Sequence, residues 1–198
     1  DGLGNILGIA RTFDGPIFGT DVSLQKARTA TLFSSANAGT YLGTFNSALG
    51  ATPAGQNANG VTIADYVTAV RQTLGNNALQ DGTAFADRSG GNLSRPFLPD
   101  GLSGATHGPF SYPIATWSPF NTGLQLDVVL DNIATHIVFA DAAGANVDTG
   151  ATCTAFTVDG GTQLTRISNG FQIFPGSVPI YRNGTVIGGI GVSGDGID

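Results

Sequence analysis

The 198-residue sequence has no glutamate and no methionine, and it contains one lysine, one cysteine and one tryptophan. A single cysteine, Cys153, excludes an internal disulfide, a thiolate metal cluster and the covalent attachment of c-type haem. The eight basic residues are scattered and the net charge is −6, which argues against binding to nucleic acid or to anionic membrane surfaces. No apolar run approaches the roughly 20 residues of a transmembrane helix, so we expect no membrane span.

The composition that remains is typical of one folded domain covering residues 1–198. Hydrophobic residues make up 41% of the chain, which is enough for a core, and the 30 glycines indicate many turns and close backbone contacts. The scarcity of lysine and glutamate favours an exported protein, so we expect a periplasmic or extracellular location. Because the sequence does not start with methionine, we expect it to be processed or to be a segment of a longer chain.

The first predicted elements are a strand from Leu3 to Ala10 and a helix that Asp21 caps and that runs to about Ala36. Two roles are open for Lys26 on this helix. In the first it takes part in chemistry or binds an anion, and in the second it donates to a backbone carbonyl or an aspartate. One face of the helix carries mostly small side chains, which would let it lie close against a sheet. These residues are Leu24, Ala27, Ala30, Thr31 and Ser34.

The clearest helix signal in the sequence begins at Thr62. Thr62 and Asp65 are spaced as a capping box, apolar residues follow at helical spacing, and Gly75 is expected to end the helix. Residues 122–135 predict a third helix, and His136 to Ala140 (HIVFA) predict a strand.

The C-terminal part predicts a β-meander. One strand is expected within Leu164 to Phe174, and Val178–Tyr181 and Thr185–Val192 are expected to form a hairpin around the Asn183-Gly184 turn. Glycines at 188, 189 and 191 would permit the close approach of another backbone or of a flat ligand.

Two distant segments resemble the GlcG/HbpS family, which includes the C-terminal domain of PduO-type proteins. The first segment is Asp21–Ala30 (DVSLQKARTA), and the second combines Phe174–Ile180 (FPGSVPI) with Val186–Gly194 (VIGGIGVSG). The resemblance implies an α+β, profilin-like fold with an antiparallel sheet flanked by helices. It also implies homo-oligomers, and haem or a related tetrapyrrole as a ligand.

The chain departs from this family in its length and at its ends. A long irregular insertion, about 37–160, replaces a short connection, and a long loop of this kind usually has a function or a partner. The helix and strand that usually precede the first strand are missing, as is the helix after the second segment. We therefore expect a trimmed domain, with other subunits completing the fold. Both histidines lie in the insertion, so no iron ligand carries over from the family.

The candidate site residues come from the insertion. His107 and His136 are candidate haem ligands, together or singly, and His107 is also the candidate metal ligand. Arg88 and Arg95 could pair with haem propionates, or with nearby aspartates such as Asp87 and Asp100. If neither histidine binds the iron, haem could still bind through a tyrosine such as Tyr112 or Tyr181, or through packing alone. Each candidate also has a simpler explanation. His107 would be an exposed loop histidine, His136 a hydrogen-bonded, half-buried histidine, and Tyr112 part of an aromatic cluster that packs under a loop.

Two functions follow, and a third has less to support it. The first is an oligomeric haem-binding or haem-sensing module; the alternative is a structural or assembly subunit that uses the same fold without a cofactor. The third, an enzyme acting on a small organic acid, is suggested only by gene neighbourhoods of such families. The residues show no catalytic set: there is no G-x-S-x-G, and the G-x-G-x-x-G match at 189–194 lies inside the last strand, where no helix follows.

Overall fold

A computed structural model describes residues 1–43, 60–120, 122–150, 152–154 and 166–195. Within these ranges the chain is a mixed α+β structure with a two-stranded antiparallel sheet. The helices and strands are α1 (Ile17–Phe33), α2 (Ala38–Gly43), α3 (Ile63–Leu74), α4 (Asp87–Leu93), α5 (Gly123–Asp127), α6 (Leu130–Asp141), β1 (Ser177–Arg182) and β2 (Thr185–Gly191).

The N-terminal segment does not form the predicted strand. The Asp1 carboxylate accepts hydrogen bonds from the backbone amides of Leu3 and Asn5, which folds the first residues into a turn, and residues 4–10 join no strand ladder in the structure. The predicted start of α1 at Asp21 is also wrong. The helix begins at Ile17, directly after Pro16, whose fixed φ of −65° suits a helix entry.

Helix α1 packs directly on the hairpin through the small-residue face that the sequence predicts. A Cβ atom on Gly189 would lie 2.7 Å from the carbonyl oxygen of Ala27, and one on Gly191 would collide with the carbonyl oxygen of Ser23. Gly189 and Gly191 therefore admit the backbone of α1. Lys26 is buried, and its Nζ donates to the carbonyl oxygen of Val192 across 3.0 Å. This is the second role expected for the lysine, a hydrogen bond to a backbone carbonyl.

The hairpin is confirmed at its predicted turn. Asn183 and Gly184 have φ angles of 52° and 81°, as a two-residue turn of type I′ requires, and the strands pair from Ser177 opposite Gly191 to Arg182 opposite Thr185. The predicted strand within Leu164–Phe174 is wrong for residues 166–174, which form turns and irregular backbone; Leu164 and residue 165 lie outside the described residues.

Helix α3 begins and ends as predicted. The Thr62 side chain accepts from the Asp65 amide, Asp65 Oδ2 accepts from the Thr62 amide across 2.7 Å, and Gly75 follows the last turn. The predicted helix 122–135 is present as α5 and α6, with a break at 128–129. The predicted strand His136–Ala140 is wrong, because these residues continue α6; a short apolar run has no period that separates a strand from a helix.

The core lies between α1, α3 and the segments that follow them. Phe33 stacks on Phe85 with ring centroids 5.2 Å apart and contacts Phe171 at 4.8 Å, while Phe110 packs against Phe171 at 5.9 Å. Phe85 and Phe110 belong to the predicted insertion, so that insertion supplies core and is not a peripheral loop. It is also not irregular throughout, since α2 to α6 all lie within it.

None of the helices that the structure describes combines the length and the apolar character needed to cross a bilayer.

Candidate functional site

The two histidines lie in different parts of the molecule. His107 lines a cleft of about 510 Å³ beside α3, where Asp65 and Tyr66 also lie, and its Nδ1 donates to the carbonyl oxygen of Gly108 across 3.0 Å. His136 lies on α6 and lines a second cavity, of about 500 Å³. Since the two histidines line separate cavities, the structure does not bring them together as a pair of ligands.

The periodicity of α6 directs an apolar face into the second cavity. Val129, Ile133, His136 and Ile137 fall at helical spacing and therefore share one face, which lines this cavity. None of the twelve α6 residues is buried in the described structure, although the helix is rich in apolar side chains. We call this cavity the α6 pocket.

The walls of the α6 pocket opposite the helix come from distant parts of the chain. Phe120 and Phe171 add aromatic surface, and Gln25 of α1 adds a polar group. Cys153 also lines the pocket; partial burial raises the pKa of its thiol, and the Asp21 carboxylate raises it further. A mainly apolar cavity with a few polar groups has the usual character of a small-molecule site.

The geometry of His136 is that of an oriented ligand or base. Its Nδ1 donates to Asp148 Oδ1 across 2.9 Å, and the hydrogen bond from His136 lowers the pKa of the Asp148 carboxyl. The imidazole is 60% exposed, and Nδ1 is its engaged nitrogen. A carboxylate that holds one ring nitrogen fixes the tautomer and directs the other nitrogen outward, which is the usual second-shell arrangement around a metal-bound histidine.

Tyr112 is buried and its hydroxyl is committed to a carboxylate. Its hydroxyl donates to Asp127 Oδ1 across 2.6 Å, while the Tyr66 hydroxyl donates to Asp127 Oδ2, also across 2.6 Å. Burial raises the pKa of the Tyr66 phenol far above its usual value, and the Asp127 carboxylate raises it further. Both phenols therefore serve as donors that satisfy a buried carboxylate, and Tyr112 is not among the residues lining the α6 pocket.

Arg88, in the first turn of α4, and Arg95, just after the helix, line the same cavity, which is separate from the one that His136 lines. Both line a small cavity of about 60 Å³ with Trp117 and Phe174. Arg95 pairs with Asp100, as the ordinary reading predicts, at 3.6 Å between exposed groups. Neither arginine lines the α6 pocket, so the structure does not place them where they could meet the carboxylates of a ligand bound beside His136.

Sequence reasoning missed the residues that give these sites their form. Asp127 and Asp148 carry no motif, and their roles depend on contacts with Tyr66 and His136 across 61 and 12 positions of the chain. A signal was available for Asp148 alone, since it follows His136 closely enough for a loop to return it to the helix. Within the described ranges, no three His, Cys, Asp or Glu side chains are grouped to hold a metal ion.

No family model, no curated protein and no solved structure matches this chain.

Proposed function

We propose that the protein is a haem- or tetrapyrrole-binding module and that the α6 pocket is its binding site, where His136 would be the residue that holds the iron. The observation that carries this proposal is the position of His136 on the pocket wall with its Nδ1 held by Asp148. A histidine in this state offers Nε2 to an iron, and one protein ligand is sufficient for haem.

The residues present fit such a group. The cavity of about 500 Å³ falls within the roughly 300–1,000 Å³ of known small-molecule sites. Val129, Ile133 and Ile137 would lie against the apolar part of the macrocycle, and Phe171 would close the far side. No arginine or lysine is among the described residues that line the pocket, so we expect the propionates to extend to solvent.

The chain's own residues would bind and orient the ligand. Asp148 holds the His136 ring in one tautomer, the α6 face excludes water from one side of the ligand, and Gln25 and Asn132 supply amide groups at the wall. When bound, haem would supply the visible chromophore and an iron centre for sensing or transport.

The proposal also includes the finer features that the sequence resemblance implies: a profilin-like sheet flanked by helices, homo-oligomers, and a location outside the cytoplasm. Support for the fold comes from α1 and the hairpin, because the two segments that resemble the GlcG/HbpS family pack against each other. Support for the location is the scarcity of lysine and glutamate.

Haemin titration followed by absorption spectroscopy tests this function. We expect a Soret band that elutes with the protein on a sizing column, and we expect His136→Ala to weaken binding at least tenfold and to change the band position. His107→Ala is the matched control, because His107 lines another cavity, and it should bind as the parent does. If His136→Ala binds haemin as tightly as the parent does, His136 is not the ligand. If the parent protein does not bind haemin, the proposed function is wrong.

A second function, a structural or assembly subunit, is favoured by one observation. Leu7 is 82% exposed and lines a groove with Ile190 of β2. Phe13 and Ile17 are also apolar and exposed, Phe13 fully and Ile17 to 81%. Apolar surface of this kind in a folded protein marks an interaction site. Sedimentation of the cofactor-free protein tests it: a particle well above the 20.1 kDa of one chain supports assembly, and a monomer at high concentration contradicts it.

A further inference from the structure

The small cavity beside α4 is separate from the α6 pocket and has a different character. It has a volume of about 60 Å³ and lies between α4, with the residues that follow it, and the chain segments around Trp117 and Phe174. Phe174 packs against Phe120 of the α6 pocket with ring centroids 6.5 Å apart, so an aromatic pair lies between the two sites. We call it the α4 cavity.

A buried hydroxyl on the wall of the α4 cavity lacks a partner. Ser94 is 1% exposed, and within the described part of the chain its Oγ makes no hydrogen bond. The backbone of the same residue is engaged, since its carbonyl oxygen accepts from Trp117 Nε1 across 2.7 Å. Buried polar groups in folded proteins nearly always have a partner, so this hydroxyl is available to a molecule that enters the cavity.

Two guanidinium groups give the α4 cavity a positive wall in a protein with a net charge of −6. The Arg88 guanidinium has no hydrogen-bond or ion-pair partner among the described residues. Arg95 has the exposed Asp100 carboxylate at 3.6 Å, a long pairing that solvent weakens. No aspartate belongs to the described lining; the neighbouring Asp87 instead accepts from the Ser177 amide.

We propose that the α4 cavity binds the carboxylate of a small organic acid, with Arg88 and Arg95 as its cationic partners and Ser94 as a hydroxyl donor. A guanidinium presents two N–H groups in a plane and matches a carboxylate better than it matches a spherical anion. The volume of about 60 Å³ equals that of about two water molecules in the liquid, which is enough for a carboxylate and one or two carbon atoms. Trp117 and Phe174 provide the apolar wall for those carbons.

The test uses Trp117, which is the single tryptophan of the chain and lies at the cavity itself. Formate and acetate are titrated into the full chain, with sodium chloride added to hold the ionic strength constant, and the indole emission is recorded. We expect a saturable change with acetate and none with chloride. Inorganic phosphate is a second arm, and a tighter response to phosphate than to acetate would overturn the carboxylate assignment.

Three variants identify the site. Ser94→Ala and Arg88→Gln should each raise the midpoint of the acetate titration at least fivefold. The control is Arg182→Gln, because Arg182 is an exposed arginine on β1 that does not line the cavity, and this variant should leave the midpoint unchanged. Arg88 is exposed, so its substitution should not unfold the protein. A linear response in the parent, or equal midpoints in all three variants, would overturn the proposal. Neither result depends on haem, because these titrations contain none.

Discussion

Replacing Tyr66 with phenylalanine should destabilise the protein by an amount that the structure allows us to estimate. The change removes the hydrogen bond from the Tyr66 hydroxyl to Asp127 Oδ2 at 2.6 Å, between two residues that are each 3% exposed. A hydrogen bond to a charged group contributes about 1.5–3 kcal/mol. We therefore expect the free energy of unfolding to fall by about 1.5–3 kcal/mol, or by about 3–12 °C in the melting temperature of a domain of this size.

The matched control is Tyr181→Phe. The Tyr181 hydroxyl is also removed from solvent, but it has no hydrogen-bond partner among the described residues. Deleting an unsatisfied hydroxyl should be neutral or slightly stabilising, because no interaction is lost. Urea unfolding at pH 7 measures both variants. The reasoning is refuted if Tyr66→Phe changes the stability by less than about 0.5 kcal/mol, the range of ordinary surface substitutions, or if both variants lose the same amount.

The same network predicts a loss of stability in alkali. The pKa of Tyr66 is raised in the folded protein, so above the ordinary value of 10.0 the unfolded chain releases a proton that the folded chain keeps. The contribution of this phenol is therefore complete below pH 10.0 and decreases as the pH rises beyond it. Tyr66→Phe should flatten the fall in unfolding free energy between pH 9 and 11; an equal slope in parent and variant would contradict the assignment.

Two further predictions concern packing and acid stability. Gly191→Ala would force a Cβ against the Ser23 carbonyl oxygen and should lower the free energy of unfolding by about 1–3 kcal/mol, as overpacking does. The control is Gly194→Ala, where the new Cβ has open space, and it should change the free energy of unfolding by less than about 0.5 kcal/mol. Equal losses for the two variants in urea unfolding would refute this packing of α1 on β2. The pKa of Asp148 is lowered by its hydrogen bond from His136, so its stabilising effect is present above the ordinary value of 3.8 and is lost as the pH falls. Asp148→Asn should thus be less stable than the parent at pH 5–7, and the difference should shrink as the pH falls below 3.8. A difference that does not shrink in acid would contradict this origin.

Local chemistry made several elements of the fold predictable. The Asn183-Gly184 turn and the Thr62–Asp65 capping box are satisfied by neighbours in the sequence, so the same residues predict and form them. The small-residue face of α1 and the glycines of β2 were also predictable as surfaces for close approach. The sequence did not determine what approaches the glycines, since it allowed either a second backbone or a flat ligand. In the structure the backbone of α1 lies against Gly189 and Gly191.

Segments without a local signal were predicted less well. His136–Ala140 is an apolar run whose length and composition suit a strand or a helix, and the helix forms because Leu130 to Thr135 already continue into it. Residues 4–10 read as a strand, but the structure gives them no strand partner, and a strand exists only through its pairing.

The sequence by itself determined the class of the molecule: an acidic, glycine-rich α+β chain with one hairpin and one capped helix, and no thiolate cluster. The tertiary structure alone decided which side chains share a site. It separated His107 from His136, paired His136 with Asp148, and brought Arg88 and Arg95 to the cavity of Trp117. The physical reason is range: turns and caps are satisfied within a few residues, whereas a binding site depends on contacts between distant segments that only the packed core brings together.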